Sequence, residues 1–281
     1  MLTLDPKELP IPKLHHYLLG SIGPRPIAFA STIDKDGIRN LAPFSFFNVF
    51  SANPPILIFS PARSGRTNTT KNTHDNVKEI AEVVINVVTY DMVHQMSLTS
   101  SPFEAGIDEF EKAGFTPVAS DTIRPYRVKE SPIQIECKVL EVKELGQNGG
   151  AGNLVICEVQ KIHIAEHVLD ENQMVDQQKI DLVSRMGGNW YCRANNASMF
   201  EVNKPITTIG VGVDALPEKI RTSARLTGND LGILGNMQNI PSEADIKREL
   251  SVLDTLSFSL AKDLLEENKP QRAYAVLTQV L

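Results

Sequence analysis

The sequence has little of what several large function classes require. Its 28 Lys and Arg residues are outnumbered by 34 Asp and Glu, which gives a net charge of −6 and a pI near 5.6. Binding nucleic acid through many phosphates needs a basic face, so we expect no nucleic acid partner. There is no N-terminal signal of the charged-then-apolar kind and no long apolar run. We therefore expect a cytoplasmic protein without a membrane partner.

Cysteine is also scarce, and its spacing excludes two kinds of site. The chain has three cysteines, Cys137, Cys157 and Cys192, and no C-x-x-C pair. This spacing suggests neither a zinc site nor a dithiol redox pair. Cys137 and Cys157 lie in strand-like runs, where we expect them to be small buried hydrophobic residues.

Familiar catalytic and metal-binding patterns are missing as well. The chain shows no H-E-x-x-H motif, no Ser-His-Asp order and no paired-carboxylate signature. The glycine-rich segment 146–152 is followed by a strand pattern and by no Gly-Lys-Ser/Thr, so it is not a nucleotide phosphate loop. His163 and His167 fall on one face of a strand, but no third ligand is evident. We expect no metal site, with His163 facing a ligand pocket and His167 structural or exposed.

What the sequence does contain is a candidate binding site laid out along residues 40–76. Segment 42–48 interleaves small polar side chains with aromatics, which suits a flat conjugated ring with polar edges. Segment 55–60 is a short apolar run with strand character. Segment 63–73 then combines three basic residues with hydroxyl and amide side chains.

The end of this stretch predicts a phosphate site. Residues 75–82 have helical spacing, and Thr73 is a candidate N-cap for that helix. A helix N-terminus beside Lys71, Arg66 and several hydroxyls is suited to an anion. The alternative is a solvated polar loop before a surface helix, and composition alone favours that alternative.

The remaining pattern divides the chain in two. Strands are predicted at Ile27–Ile33, 82–89, 133–143 and 153–164, and the second is apolar on both faces and therefore central. Beyond residue 200 the pattern is helical. Pro217, the capping box Ser242–Asp245 and Pro270 each start a helix, while the three glycines of 226–236 predict a tightly turned connection. We expect one domain over 1–200 and a mostly helical C-terminal extension over 201–281.

Several blocks together resemble a known family. They are RPIAFAS (25–31), NLAPFSFFN (40–48), Pro54-Pro55, Lys71-Asn72-Thr73 with Asn76, His163, and RMGG (185–188) with Tyr191. In this order, over about residues 15 to 192, they resemble the flavin reductase-like proteins with the FMN-binding split barrel. The family usually has Lys-Asp-Thr where this chain has Lys71-Asn72-Thr73. Losing a carboxylate beside a phosphate loop leaves the electrostatics no worse.

The resemblance implies a fold, a cofactor and a set of site residues. The fold is mainly β with added helices: a six-stranded antiparallel Greek-key barrel, split open, which forms a homodimer with FMN near the interface. NADH or NADPH is the electron donor, and His163 is the catalytic residue that faces the nicotinamide. The implied cofactor-binding residues are Arg25, Ser45, Phe46, Phe47, Asn48, Ser60, Arg66, Lys71, Asn72, Thr73 and Arg185.

Three functions fit this resemblance. The first is an NAD(P)H-dependent flavin reductase, which supplies reduced flavin to a separate monooxygenase. The second is a non-enzymatic FMN-binding electron carrier. The third is a split-barrel protein of the pyridoxine-phosphate oxidase type, which needs a second basic cluster for its substrate phosphate. Arg25 and Arg185 are also open to a purely structural interpretation, as ion-pair residues beside a glycine turn.

Overall fold

One curved sheet dominates the first part of the chain. The computed structural model describes residues 1–104 and 106–281, and it contains these strands: β1 (Ala28–Ile33), β2 (Arg39–Phe44), β3 (Phe47–Ala52), β4 (Pro55–Phe59), β5 (Glu82–Asn86), β6 (Pro117–Val118), β7 (Arg127–Val128), β8 (Ile133–Glu144), β9 (Asn153–Ile164), β10 (Val183–Arg185) and β11 (Tyr191–Arg193). Seven of them form an antiparallel sheet in the order β2-β1-β5-β8-β9-β4-β3. The pairs β6–β7 and β10–β11 are separate.

The two edges of the sheet meet, which makes it a barrel. The edge strands β2 and β3 are separated only by Ser45 and Phe46. A flat sheet cannot join its two edges through two residues, so the sheet must curl until they lie side by side. The expected split barrel is confirmed, although the sheet has seven strands where six are implied. The reason is that one strand bends at Ser45–Phe46, pairs first with β1 and then with β4, and so counts as two.

The barrel interior explains why these segments form strands. All six residues of β1 are buried, and in β5 Val83 to Asn86 are buried as well. The apolar core includes Ala28, Ala30, Leu57, Phe59, Val77, Val83, Ile85, Cys137, Val139, Val155 and Cys157. The prediction that the strand beginning at Glu82 is central is confirmed, because β5 lies between β1 and β8. Both strand cysteines are buried, as expected.

Helices occur in the barrel part of the chain and make up most of the regular structure of its C-terminal part. Those of the described residues are α1 (Ile11–Ser21), α2 (Asn72–Glu79), α3 (Val93–Leu98), α4 (Glu109–Ala113), α5 (Glu218–Arg221), α6 (Gly228–Gly235), α7 (Glu243–Leu250), α8 (Phe258–Glu266) and α9 (Pro270–Val280). None of these helices has both the length and the apolar character needed to cross a membrane. The chain divides into two units, Met1–Phe200 and Glu201–Leu281.

The C-terminal unit has its own core and one helix that the sequence analysis misses. The capping box predicted at Ser242 is present at the start of α7. The prediction of a tight turn over 226–236 is wrong, because α6 occupies most of this segment. The Thr227 hydroxyl accepts from the Asp230 N–H, and the Asp230 carboxylate accepts from the Thr227 N–H. This capping box outweighs the low helix propensity of the glycines. Gly235 permits close packing against the backbone near Val213, because a Cβ at position 235 would lie 3.0 Å from the Val213 nitrogen.

Candidate functional site

The bend between β2 and β3 holds four of the predicted site residues. Ser45 and Phe47 are half-buried, whereas Phe46 and Asn48 are exposed. The Phe46 ring lies edge-on to His15 of α1, with 6.4 Å between ring centroids. Phe47 packs against the barrel core. The bend therefore leaves Ser45, Phe46 and Asn48 accessible to a ligand, while Phe47 supports the bend from inside.

Ser60, at the end of β4, fixes this bend to β9. Its backbone N–H donates to the Phe46 carbonyl at 2.9 Å, and its hydroxyl accepts from the Asn153 N–H at 3.0 Å. Ser60 is buried. These contacts give Ser60 a structural role at the start of the following loop, and its contact with a cofactor stays a prediction.

The loop that follows packs against the β8–β9 hairpin loop. The Arg63 N–H donates to the Ala151 carbonyl at 2.8 Å, and the Arg63 guanidinium donates to the Asn68 side chain at 2.9 Å and the Asn68 carbonyl at 2.5 Å. Gly149 permits the two loops to touch, since a Cβ there would lie 3.0 Å from the Ser64 carbonyl oxygen. Arg63 and the hairpin glycines thus shape the loop.

Arg63 is thus held by Asn68, and the other two basic residues of this loop have no acidic partner among the residues that the structure describes. Arg66 and Lys71 are exposed, and neither forms an ion pair with any residue that the structure describes. The Arg66 backbone is ordered by Ser64, whose hydroxyl accepts its N–H at 3.3 Å. Because both charges are uncompensated, the loop can receive an anion without breaking an existing ion pair.

The first turn of α2 follows directly after Lys71. Lys71 is the N-cap residue of α2, and no side chain caps the helix. The prediction that Thr73 is the N-cap is wrong, since the helix begins at Asn72. Thr73 is only 1% exposed, and its hydroxyl donates to the Asn40 side-chain oxygen at 2.8 Å. The Thr73 hydroxyl is therefore directed into the barrel, and α2 offers an anion its backbone N–H groups.

A buried polar network explains why α2 starts where it does. Asn40 accepts from Thr73 and Thr32, and its amide nitrogen donates to both carboxylate oxygens of Glu109 at 3.1 Å. Asn76 of α2 donates to Thr32 at 3.0 Å. Burial raises the pKa of Glu109, and hydrogen bonds from the Leu41 N–H and from Asn40 offset part of that effect. The network fixes the first turn of α2 to β1 and β2.

Arg25 and Arg185 are paired through their backbones. Each N–H donates to the carbonyl of the other, at 2.9 and 2.8 Å. The Arg25 guanidinium is buried and donates to the carbonyls of Leu19 and Ile22 and, at 2.9 Å, to that of Met186. Burial and, secondarily, the charge of Arg185 lower the pKa of Arg25. Arg25 therefore holds the end of α1 against the loop after β10.

Arg185 is the more available of the two arginines. Its guanidinium lies 4.6 Å from the centre of the Tyr191 ring, and the side chain is half-buried. Within residues 1–104 and 106–281, neither Arg25 nor Arg185 forms an ion pair, so the ion-pair interpretation is wrong for both. Arg25 is held by backbone carbonyls instead. The contact of either arginine with a cofactor stays a prediction.

His163, the predicted catalytic residue, is bound to a buried carboxylate. Its Nε2 lies 2.8 Å from Glu136, which is 0% exposed. The same carboxylate accepts from the Asp121 N–H at 2.8 Å and from the Thr122 N–H and hydroxyl at 2.7 and 2.5 Å. Burial alone raises the pKa of Glu136, but these hydrogen bonds outweigh burial and lower it to about 2. Glu136 is thus a carboxylate at neutral pH.

This cluster is not arranged as a metal site. Ligand atoms of Asp121, Glu136 and His163 lie within 4.8 Å of one another. Lys161 Nζ, however, lies 2.8 Å from Asp121, and Arg127 Nε lies 3.8 Å from Glu136. A divalent cation would meet two fixed positive charges, and the Glu136 oxygens already accept four hydrogen bonds.

The shifted pKa of Glu136 predicts a specific loss of acid stability. A carboxyl whose pKa falls from 4.5 to about 2 on folding stabilises the protein above pH 4.5 and loses this contribution as the pH falls toward 2. The contribution is roughly 3 kcal/mol. Urea unfolding should show wild type losing about that much more than Glu136→Gln over this range. The exposed carboxyl variant Glu141→Gln should behave as wild type, and equal losses in all three proteins would contradict the assignment.

Strand β9 relates the position of His163 to that of Ser60. Asn153, the partner of Ser60, begins β9, and His163 lies near its other end. Ten residues of strand span about 33 Å. The Ser60 contact and His163 therefore lie near opposite ends of β9. The strand register Pro43–Phe29–Asn86–Gln134–His163 also connects the bend to the His163 end of the sheet.

The sequence analysis did not identify two residues that organise these regions. Asn40 is the hub of the network under α2, and Glu136 fixes His163. Glu136 carried no signal, because it falls with Gln134 and Lys138 at the polar positions of the alternating run Ile133–Val139, where an exposed acid is expected. Asn40 carried none that distinguishes it from an exposed polar residue.

The barrel part of the chain is similar to known proteins. Residues 20–181 match the family model for the flavin reductase like domain. A protein of Aquifex aeolicus is 37% identical over 188 residues, which are 67% of this chain and 93% of that protein. The helical unit Glu201–Leu281 lies outside the family match.

Two solved structures share the fold at appreciable identity. Nitrilotriacetate monooxygenase component B from Bacillus cereus is 31% identical with a TM-score of 0.67, and the match covers 72% of this chain and 98% of that chain. The 2-nitrobenzoate 2-nitroreductase of Pseudomonas fluorescens is 27% identical with a TM-score of 0.64, covering 74% and 100%. With its split barrel and its match over residues 20–181, the chain belongs to the flavin reductase-like family.

Proposed function

We propose that the protein binds FMN and reduces it with NADH or NADPH. The observation that carries the proposal is the start of α2, which has no side-chain cap and whose N-cap residue, Lys71, has no acidic partner among the residues that the structure describes. Free N–H groups and the helix dipole favour an anion at this position. Lys71 and Arg66 add charge-assisted hydrogen bonds to a phosphate.

The residues present fit the rest of the cofactor as well. The bend between β2 and β3 is adjacent to the loop, since Ser60 bonds to Phe46. Its exposed aromatic ring and polar groups suit the ring system of FMN, with Ser45 and Asn48 hydrogen-bonding its polar edge. When bound, FMN supplies the hydride and electron transfer chemistry, and the chain's own residues bind and orient it. Asn72 and the Thr73 backbone N–H complete the phosphate site.

A homodimer belongs to the proposal because the family resemblance implies one, with FMN near its interface. About 33 Å of β9 lies between His163 and the residue that bonds Ser60. The Ser60 contact and His163 therefore lie near opposite ends of β9, and in a dimer His163 of a second copy can approach a flavin near the interface. The product, reduced flavin, would serve a separate monooxygenase, in agreement with the name of the Bacillus cereus protein.

An exposed apolar strip on β3 is the predicted dimer surface. Val49 and Phe50 are 64% and 63% exposed. A stable interface buries about 800 Å² on each partner around such apolar residues. We expect Val49→Asp with Phe50→Asp to give a monomer by light scattering, while Val252→Asp, at an equally exposed position of the helical unit, stays dimeric. A monomer that keeps its FMN would contradict the placement of the flavin.

A non-enzymatic electron carrier is the second candidate, and the position of His163 at the opposite end of β9 from the Ser60 contact favours it. In that case the chain holds flavin without a residue that faces the donor.

The proposal of FMN binding is tested by the flavin content of the purified protein. We expect FMN to be taken up with a stoichiometry near one per chain. A protein that neither retains nor takes up FMN would overturn both candidates.

A further inference from the structure

A cleft lies beside His163. It has a volume of about 250 Å³, and its lining includes Arg127, Lys129, Gln134, His163 and His167. Pockets for whole small molecules are usually about 300–1,000 Å³. This cleft therefore matches one ring of a larger ligand better than an entire dinucleotide.

Glu136 determines which nitrogen of His163 carries the proton. The Asp121 N–H, the Thr122 N–H and the Thr122 hydroxyl all donate hydrogen bonds to Glu136, as expected if Glu136 is an anionic carboxylate. An anionic carboxylate can only accept hydrogen bonds. The Nε2 of His163, at 2.8 Å, must then be the donor. In the neutral ring the other nitrogen, Nδ1, has a lone pair, and among the residues that the structure describes it has no hydrogen-bond partner.

The charges around the pair keep this arrangement in place. Lys161 is bound to Asp121 at 2.8 Å, and Arg127 approaches both acids at 3.7 and 3.8 Å. Arg127 is further held by the Ala119 carbonyl at 2.9 Å. The cations therefore neutralise the acids without replacing His163 as the donor to Glu136.

We propose that Glu136 is a positioning residue that fixes His163 as the Nε2–H tautomer, so that Nδ1 accepts a hydrogen bond from a carboxamide-bearing ring bound in the cleft. The nicotinamide of the electron donor carries such a carboxamide, and this identification rests on the proposed function. The amide N–H donates to Nδ1, and the small cleft holds the ring while the rest of the dinucleotide lies outside it. Catalysis then depends on Glu136 through His163 and without contact between Glu136 and the ligand.

Nitrogen-15 NMR of the histidine side chains tests this directly. In the neutral ring of wild-type protein we expect a protonated, pyrrole-type shift for Nε2 and a pyridine-type shift for Nδ1 of His163, assigned by its loss in His163→Gln. In Glu136→Gln the two tautomers should mix. Thr122→Val is the matched control, because it removes one donor to the other Glu136 oxygen and leaves the contact with His163 intact.

The same nitrogen-15 resonances of His163 report whether the nucleotide contacts Nδ1. Adding NADH or NADPH to the flavin-free protein should shift the Nδ1 resonance in the direction of hydrogen-bond acceptance, and donor turnover by Glu136→Gln should fall about tenfold. An Nδ1–H tautomer of His163 in wild type would overturn the inference. An unchanged tautomer in Glu136→Gln would overturn it as well, and so would an Nδ1 resonance that does not shift when either nucleotide is added. The wild-type measurement decides even where Glu136→Gln does not fold. Failure of the proposed function is distinguishable, because it abolishes flavin reduction and leaves the tautomer as inferred.

Discussion

Replacing Lys71 with alanine is expected to weaken FMN binding by roughly one to two powers of ten. A hydrogen bond to a charged group contributes about 1.5–3 kcal/mol, and each 1.4 kcal/mol is about tenfold in affinity. Lys71 is exposed at the N-cap of α2 and has no acidic partner in the described chain, so its removal leaves no buried charge behind. The loss should therefore reflect the phosphate contact, and fluorescence titration with FMN measures it.

Riboflavin and a second lysine supply the controls for this variant. Riboflavin lacks the phosphate, so Lys71→Ala should barely change its affinity. Lys78, in the last turn of α2, is paired with Glu144 at 3.0 Å, and Lys78→Ala should leave the binding of both flavins unchanged. An equal loss for FMN and riboflavin in Lys71→Ala would mean that Lys71 acts through folding and that the phosphate site lies elsewhere.

The second large effect is expected at His163. His163→Ala should slow flavin reduction about tenfold, the effect of a lost hydrogen bond to the donor, while FMN stays bound. His163→Gln should slow it similarly and keep more stability, because a glutamine amide can still donate to Glu136. Stopped-flow absorbance gives the rate, and the visible spectrum gives the bound flavin.

His94 provides the control for the His163 variants. His94 is exposed on α3, and His94→Ala should reduce flavin at the wild-type rate. If His163→Ala loses its flavin, or if its rate equals that of wild type, His163 does not contact the donor.

Most of the barrel could be predicted because its signals are local. The run Glu82–Asn86 is apolar on both faces and is the central strand, and the long alternation on either side of segment 146–152 is the β8–β9 hairpin. The capping box at Ser242 likewise specifies a helix start within four residues. In each case neighbouring residues contain the physical cause of the structure.

The failures involve partners distant in sequence. Thr73 looks like an N-cap, but its hydroxyl bonds to Asn40, 33 residues away. In α6, glycines suggest a turn, while Lys262 supports the helix start through Asp230 at 2.6 Å. The pairing of Glu136 with His163 depends on strand register, which places Gln134 opposite His163. Local sequence patterns therefore predict the helices and strands, whereas the hydrogen-bond partners of polar side chains depend on contacts between these elements.

The relative position of the phosphate loop and His163 is likewise not visible in the sequence. The family blocks place both in one pattern, whereas the structure places Asn153, the partner of Ser60, and His163 near opposite ends of β9.

Anaerobic reduction of the FMN-loaded protein tests the central claim most directly. Protein with bound FMN is mixed with NADH, and separately with NADPH, and the visible flavin absorbance is followed. We expect one of the two nucleotides to bleach the yellow colour in a rapid phase, fast enough to account for turnover with an added acceptor. A protein that stays yellow with both nucleotides, although dithionite bleaches it, would contradict the reductase and identify an electron carrier.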